Sequence, residues 1–183
     1  MRVSREQVAE NRRAILAAAG RLFRERGVEA VSVAEVMQAA GLTHGGFYGY
    51  FDSKDELVAQ AIAGALASAP PPADLAAYVA TYLAPAHRDD RARGCAMAAL
   101  AAETVRAPAA ARTEMTTGLK RPIDALARLA PGADLAERRR AAIGSWAAMV
   151  GALILARVSD DPALSGEVLD ATRAWLETRR QQA

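Results

Sequence analysis

Residues 41–57 read Gly-Leu-Thr-His-Gly-Gly-Phe-Tyr-Gly-Tyr-Phe-Asp-Ser-Lys-Asp-Glu-Leu. Two helix starts lie in this stretch, with aromatic residues between them. Thr43 is a candidate N-cap, because its hydroxyl can accept an orphan backbone N–H of a short helix that follows. Phe47 and Phe51 fall four residues apart and share one helical face, so they are the expected anchor of that helix. Thr43, His44, Tyr48 and Tyr50 then lie beside and around the anchor, with polar groups pointing away from it. Ser53 and Glu56 form a capping box that starts a new helix. Lys54 falls in its first turn, where a lysine beside free N–H groups suits a phosphate. The surface so outlined is expected to read DNA; the bland alternative is a short core helix.

Reading outward strengthens the first alternative. Ser32 and Glu35 form another capping box, Val33, Val36 and Met37 are apolar at helical spacing, and Gly41 supplies a C-terminal stop. Helix, tight glycine turn and second helix is the helix-turn-helix order. The run from Val33 to Leu57, with Gly-Leu-Thr-x-Gly-x-Phe-Tyr-x-Tyr-Phe-x-Ser-Lys-x-x-Leu, resembles the tetracycline-repressor (TetR) family of transcriptional regulators. The likeness covers roughly the first third of the chain and beyond that rests on helix layout.

What the resemblance implies is specific. The fold would be all-α, with a three-helix DNA-binding domain over residues 1–52 and a helical effector-binding and dimerisation domain over 53–183. Ser32, Thr43, His44, Gly45, Gly46, Tyr48, Tyr50 and Lys54 match DNA-contacting positions, with Tyr48 and Lys54 expected on phosphates and His44 and Gly45 near bases. The partners would be a palindromic double-stranded operator, a second copy of the chain and a small-molecule effector. Displacement of the helix from Lys54 to Ser68 would change the spacing of the two recognition helices. Three positions depart from the family pattern: Ala34 replaces a common arginine or threonine, Gly46 replaces a common threonine, and Gly49 further loosens the helix.

Composition is compatible with this reading without requiring it. The chain has 183 residues, half of them apolar, with a formal charge of +2. Residues 1–26 carry seven arginines against three glutamates, a balance of +4, whereas residues 27–56 carry one lysine against five carboxylates, a balance of −4. A few phosphate contacts aided by helix N-termini suffice for such a site, so a neutral domain does not exclude it. The amino terminus does not resemble a signal peptide, and the chain is expected in the cytoplasm. Two charge-free runs, Leu57 to Ala73 and Ala141 to Ala156, are shorter than the roughly 20 residues that span a bilayer, so no membrane partner is expected.

In chain order, Ser4 with Gln7 is a capping-box candidate. Val8, Ile15, Leu16, Ala19, Leu22 and Phe23 then mark a first helix to Gly27. Arg2, Arg5, Arg12 and Arg13 at its start would face the DNA backbone by resemblance; alone, each reads as part of a solvated face. Val28, Val31 and Val33 close a three-helix core with Phe47 and Phe51. The helix from Lys54 ends at Pro70-Pro71-Pro72. Further helices are expected over 75–83, 95–106, 109–129 with a break or kink near Gly118 and Pro122, 135–158 and 166–180. Asp134 with Glu137 can cap the penultimate helix, and Asp161-Pro162 with Ser165 marks the last connection.

That penultimate helix is apolar nearly all round, so a partner subunit or other helices of the same subunit must cover it. Trp146, Val150, Leu153 and Ile154, with Val168, Leu169, Thr172 and Leu176 of the last helix, are the expected dimer interface. Tyr78, Tyr82, Met97, Met115 and Trp146 are candidates for an effector pocket, or for ordinary core. Cys95 is either a small buried hydrophobe or, beside Arg91 and Arg93 at a helix start, a reactive thiolate. His44 and His87 are far apart and no phosphate loop or ligand set stands out, so neither catalysis, nor a metal site, nor a cofactor is expected. A helical dimer that binds a ligand without reading DNA is the competing class.

Overall fold

The computed structural model describes residues 4–68 and 72–181. Among them are nine α-helices, one 3-10 helix and no strand: α1 (Arg5–Arg26), α2 (Val33–Ala39), the 3-10 helix (His44–Gly49), α3 (Lys54–Ala67), α4 (Leu75–Tyr82), α5 (Pro85–Asp89), α6 (Ala96–Thr104), α7 (Ala109–Leu129), α8 (Leu135–Val158) and α9 (Pro162–Gln181). Arg2, Pro70 and Pro71 lie outside the described residues. The fold is all-α, as expected.

Local capping explains most of the boundaries. Ser4 accepts the Gln7 N–H, Ser32 accepts the Glu35 N–H while Glu35 returns to the Ser32 N–H, and Asp134 accepts the Glu137 N–H. Each such cap contributes about 1 kcal/mol. At the end of α2 the Gly41 N–H reaches the Gln38 carbonyl and the Leu42 N–H reaches Met37, with Gly41 at φ +73°, where a side chain would be strained. Two boxes form differently from the sequence expectation: the Glu56 carboxylate accepts from Asp52 and that of Glu137 from Ala133, each one residue beyond the cap.

Two further differences concern helices. α9 begins at Pro162 rather than Gly166, because Pro162 takes the first helical position and Asp161 accepts the Ala163 N–H at 2.8 Å. α7 is continuous through Pro122, so no break falls there. An internal proline costs an isolated helix about 3 kcal/mol. Met115, Ile123 and Leu126 on the same helix are all buried, and each contributes about 1.5–3 kcal/mol, which outweighs that cost.

The chain forms two compact units: residues 1–69 with 95–118, and residues 70–94 with 119–183. The first unit continues past residue 52 through α3 and takes in α6. α3 packs along α1 and α6 packs on both, so the core around Ile15, Phe23, Val31, Met37, Phe47 and Phe51 continues through Leu57, Ile62 and Leu100. It is not a closed three-helix core. In the second unit α8 packs along α9, α5 lies on α8 and α4 on α9, around Tyr82, Trp146, Met149, Leu153 and Leu169. Arg157 of α8 donates to the His87 and Arg88 carbonyls, both at 3.0 Å, and holds α5, a helix too short to stand out in the sequence.

Candidate nucleic-acid interface

The interface is built on α2 and the 3-10 helix. Phe47 and Phe51 are both 2% exposed and stack at 5.7 Å, fixing the 3-10 helix to the core beneath it. Opposite them Tyr48 is 76% exposed, its ring edge-on to Phe47 at 5.3 Å. Thr43, His44 and Gly45 are exposed at the amino-terminal end of the same element, so the anchored side and the open side are cleanly separated. Thr43 occupies the N-cap position with extended backbone, but its hydroxyl makes no cap hydrogen bond. The expected cap is replaced by a backbone bond from Gly46 N–H to the Thr43 carbonyl.

The element is only two 3-10 turns long because its sequence favours nothing longer. His-Gly-Gly-Phe-Tyr-Gly holds three glycines, each costing about 1 kcal/mol in a helix relative to alanine. A six-residue helix is marginal in any case, and 3-10 bonding satisfies its backbone in the least length.

Other expected contact residues are placed less simply. The Tyr50 hydroxyl accepts from Asn11 Nδ2 at 2.8 Å and the ring is half-buried, so Tyr50 is turned toward α1. Ser32 is exposed, but its hydroxyl bonds Glu35. Together with Arg26, these groups hold the Glu35 carboxyl down from its ordinary 4.5 to about 2, the backbone N–H of Ser32 contributing most. Gly46 is half-buried beneath the turn. Lys54 begins α3 and lines a cleft of about 270 Å³ with Val28, Asp55, Ile62, Glu103 and Arg106.

Five side chains of this unit were not singled out from the sequence in these roles. Arg12 donates to the Tyr50 carbonyl, to Gln60 Oε1 at 2.7 Å and to Glu56 Oε1 at 3.4 Å, with its guanidinium 4.3 Å from the centre of the Phe51 ring. Glu56 is held below the usual carboxylate range, first by the Asp52 N–H and also by Arg12. Asn11 and Gln60 complete this group, and Glu103 of α6 accepts the Val28 N–H at 2.8 Å just past the end of α1. One signal was present: Asn11 and Arg12 precede Ile15 by four and three residues, on the stripe that continues through the buried Ala18, Ala19 and Leu22.

The remaining candidates fall into both units. Tyr78, Tyr82 and Trp146 cluster in the second, with ring separations of 5.9 and 5.4 Å, whereas Met97 and Met115 are buried in the first. Trp146 Nε1 is buried with no hydrogen-bond partner among the described residues. Of the expected interface residues, Trp146, Leu153, Leu169 and Leu176 are buried inside the subunit. Val150, Val168 and Thr172 are half-buried and Ile154 is exposed. The open face between α8 and α9 is instead a groove lined by Ala147, Gly151, Leu155, Ala171, Thr172 and Trp175. Cys95 is half-buried at the N-cap position of α6. Among the described residues no group of His, Cys, Asp or Glu could hold a metal ion.

Residues 15–61 match the bacterial regulatory proteins of the tetR family. The chain is 40% identical over 58 residues to the HTH-type transcriptional regulator TtgR of Pseudomonas putida, 32% of this chain and 28% of that protein. It is 37% identical over 59 residues to AcrR of Shigella flexneri, again 32% of this chain and 27% of that one. The matched segment thus spans under a third of these relatives. Over nearly the whole chain the fold is that of a TetR-family regulator from Agrobacterium tumefaciens, with TM-score 0.74, 21% identity and 93% and 98% of the two chains covered. It is also that of TylP, a TetR regulator from Streptomyces fradiae, with TM-score 0.63, 27% identity and 96% and 87% covered. Its helix-turn-helix segment thus matches the tetR family of bacterial regulatory proteins, and its all-helical fold is that of solved TetR-family regulators.

Proposed function

We propose that the chain is a transcriptional repressor that binds a palindromic operator as a homodimer and is released from it by a small apolar effector. One observation carries the DNA reading: Thr43, His44, Gly45 and Tyr48 stand exposed on an element whose opposite side is locked into the core by Phe47 and Phe51. Two such elements would enter successive major grooves about 34 Å apart. Tyr48 and Lys54 would contact phosphates, and Gly45 would let the backbone approach a base edge.

The α8–α9 groove and the exposed Ile154, Leu155, Val158 and Trp175 support pairing of two copies through that face. α8 is long and apolar enough to cross a membrane by length and composition. Trp146, Met149 and Leu153 point into the subunit, however, and a helix packed on one side is better covered on the other by a second subunit. The aromatic cluster of Tyr78, Tyr82 and Trp146 supports an effector with a planar or apolar body. Trp146 Nε1, buried with no acceptor among the described residues, is the polar group an effector with a hydrogen-bond acceptor would meet. The effector need only prefer the conformer in which α3 is displaced.

Selection of bound fragments from random-sequence DNA by the purified protein tests the reading. The expected product is a palindrome bound at least ~10³-fold more tightly than bulk DNA. Lys54→Ala should lower the slope of log affinity against log salt by about one. Weak, sequence-indifferent binding would overturn the DNA assignment and leave a ligand-binding helical dimer. A compound that tightens the complex would make the effector a co-repressor.

A further inference from the structure

The recognition element does not hold itself in place. It has three glycines, no side-chain cap and few internal hydrogen bonds, of which Tyr50 N–H and Phe51 N–H to the Phe47 carbonyl close its end. What grips that end comes from α1. Asn11 donates to the Tyr50 hydroxyl, and the Arg12 guanidinium donates to the Tyr50 carbonyl while covering the face of Phe51. The same guanidinium reaches Gln60 and Glu56 on α3, and Glu56 in turn holds the Asp52 N–H at 2.7 Å and accepts from Gln60 at 2.7 Å. One planar fork therefore joins α1, the end of the recognition element and the start of α3. Its side chain is 33% exposed. Both terminal nitrogens donate to protein acceptors, an arrangement suited to arginine and not to lysine, whose ammonium is a single point charge.

We propose that Arg12, assisted by Asn11, is a positioning residue that sets the pose of the recognition element and so the sequence the protein selects. The inference rests on the DNA reading of residues 43–50. Arg12 acts through Tyr50 and Phe51, not through a phosphate. Because the clasp also includes Glu56 and Gln60, any shift of α3 relative to α1 is passed directly to the end of the recognition element.

The test compares the full-length wild type with Arg12→Ala, Arg12→Lys and Asn11→Ala by amide hydrogen exchange without DNA. It then measures affinity for two duplexes, one recovered by selection from a random-sequence library and one of bulk random sequence, over a range of salt. Arg12→Ala should speed exchange at Tyr50 and Phe51 by ~10-fold or more, as expected for loss of charge-assisted bonds, with the centre of α1 unchanged. It should lower the ratio of selected to random affinity by ~10-fold or more and leave random-DNA affinity and its salt slope in place. Arg12→Lys should keep both defects. Asn11→Ala should loosen Tyr50 in the same direction, which keeps the test alive if Arg12→Ala does not fold.

If lysine restores binding, or if Arg12→Ala lowers affinity and slope equally on both duplexes, Arg12 is a phosphate contact and the proposal fails. Uniformly faster exchange with an unchanged affinity ratio would mark it as merely structural and also overturn it. Should the wild type prefer no sequence, the DNA reading fails. The exchange experiment then decides the clasp alone, with unchanged Tyr50 and Phe51 rates overturning it.

Discussion

His87 is held toward its neutral form by its surroundings. The ring packs edge-on to Tyr82 at 4.7 Å, and Nδ1–H donates to the Tyr82 carbonyl at 2.7 Å, the acceptor that fixes the tautomer. Burial lowers its pKa from the ordinary 6.5 and outweighs the Tyr82 carbonyl, which raises it; Arg157 adds to the lowering and Asp90 opposes it. A histidine whose pKa falls on folding binds fewer protons in the native than in the unfolded state. Its contribution is therefore intact above about 6.5 and is lost as pH falls below that value. The melting temperature should decline over that interval, and His87→Gln should flatten the decline. Parallel curves for the two proteins would show that the imidazole titrates as it does in water. Glu35 is a contrasting residue, since its carboxyl is lowered to about 2 and its contribution is lost only as pH falls from 4.5 toward that value.

At the scale of elements, short-range chemistry and packing compete, and α7 and the 3-10 helix show the two outcomes. In the 3-10 helix low propensity prevails, and the element closes after two turns. In α7 packing prevails over Pro122 and the helix runs through. Gly118 belongs to the same balance. A Cβ placed there would stand 2.8 and 2.9 Å from Cγ and Cβ of Leu66 on α3, closer than real side chains pack. Gly118→Ala would gain up to about 1 kcal/mol of helix propensity and lose about 1–3 kcal/mol to overpacking. The expected outcome is net destabilisation in urea unfolding. Equal or greater stability would mean that α3 and α7 separate without cost.

For the whole molecule the open question is what covers α8. Nothing within 4 Å would meet a Cβ at Gly151, which lines the α8–α9 groove. Within one subunit Gly151→Ala should therefore stabilise by about 0.5–1 kcal/mol through helix propensity. If two copies pair across this groove, the same methyl keeps the helices apart, and the dimer dissociation constant should rise about 10-fold, the equivalent of 1.4 kcal/mol. Thermal melting and sedimentation of the variant should thus move in opposite directions. A stabilised subunit with an unchanged dimer would place the partner on another face.

The sequence alone determined what depends on neighbours within a turn or two. It specified the Ser32–Glu35 box, the Gly41 stop, the Phe47–Phe51 anchor and the all-helical class. Each of these is a local preference of about 1 kcal/mol, or a spacing that leaves one apolar face. Tertiary structure decided what depends on distant groups. Arg12 finds Tyr50, Glu56 and Gln60 across 38 to 48 residues, and Glu103 finds Val28 across 75. The extent of the first compact unit follows from the packing of α3 and α6 on α1. It likewise fell to packing to bury Trp146, Leu153, Leu169 and Leu176 in the subunit and leave Leu155 and Trp175 at its surface, because on a helix apolar all round composition cannot say which side faces its own core.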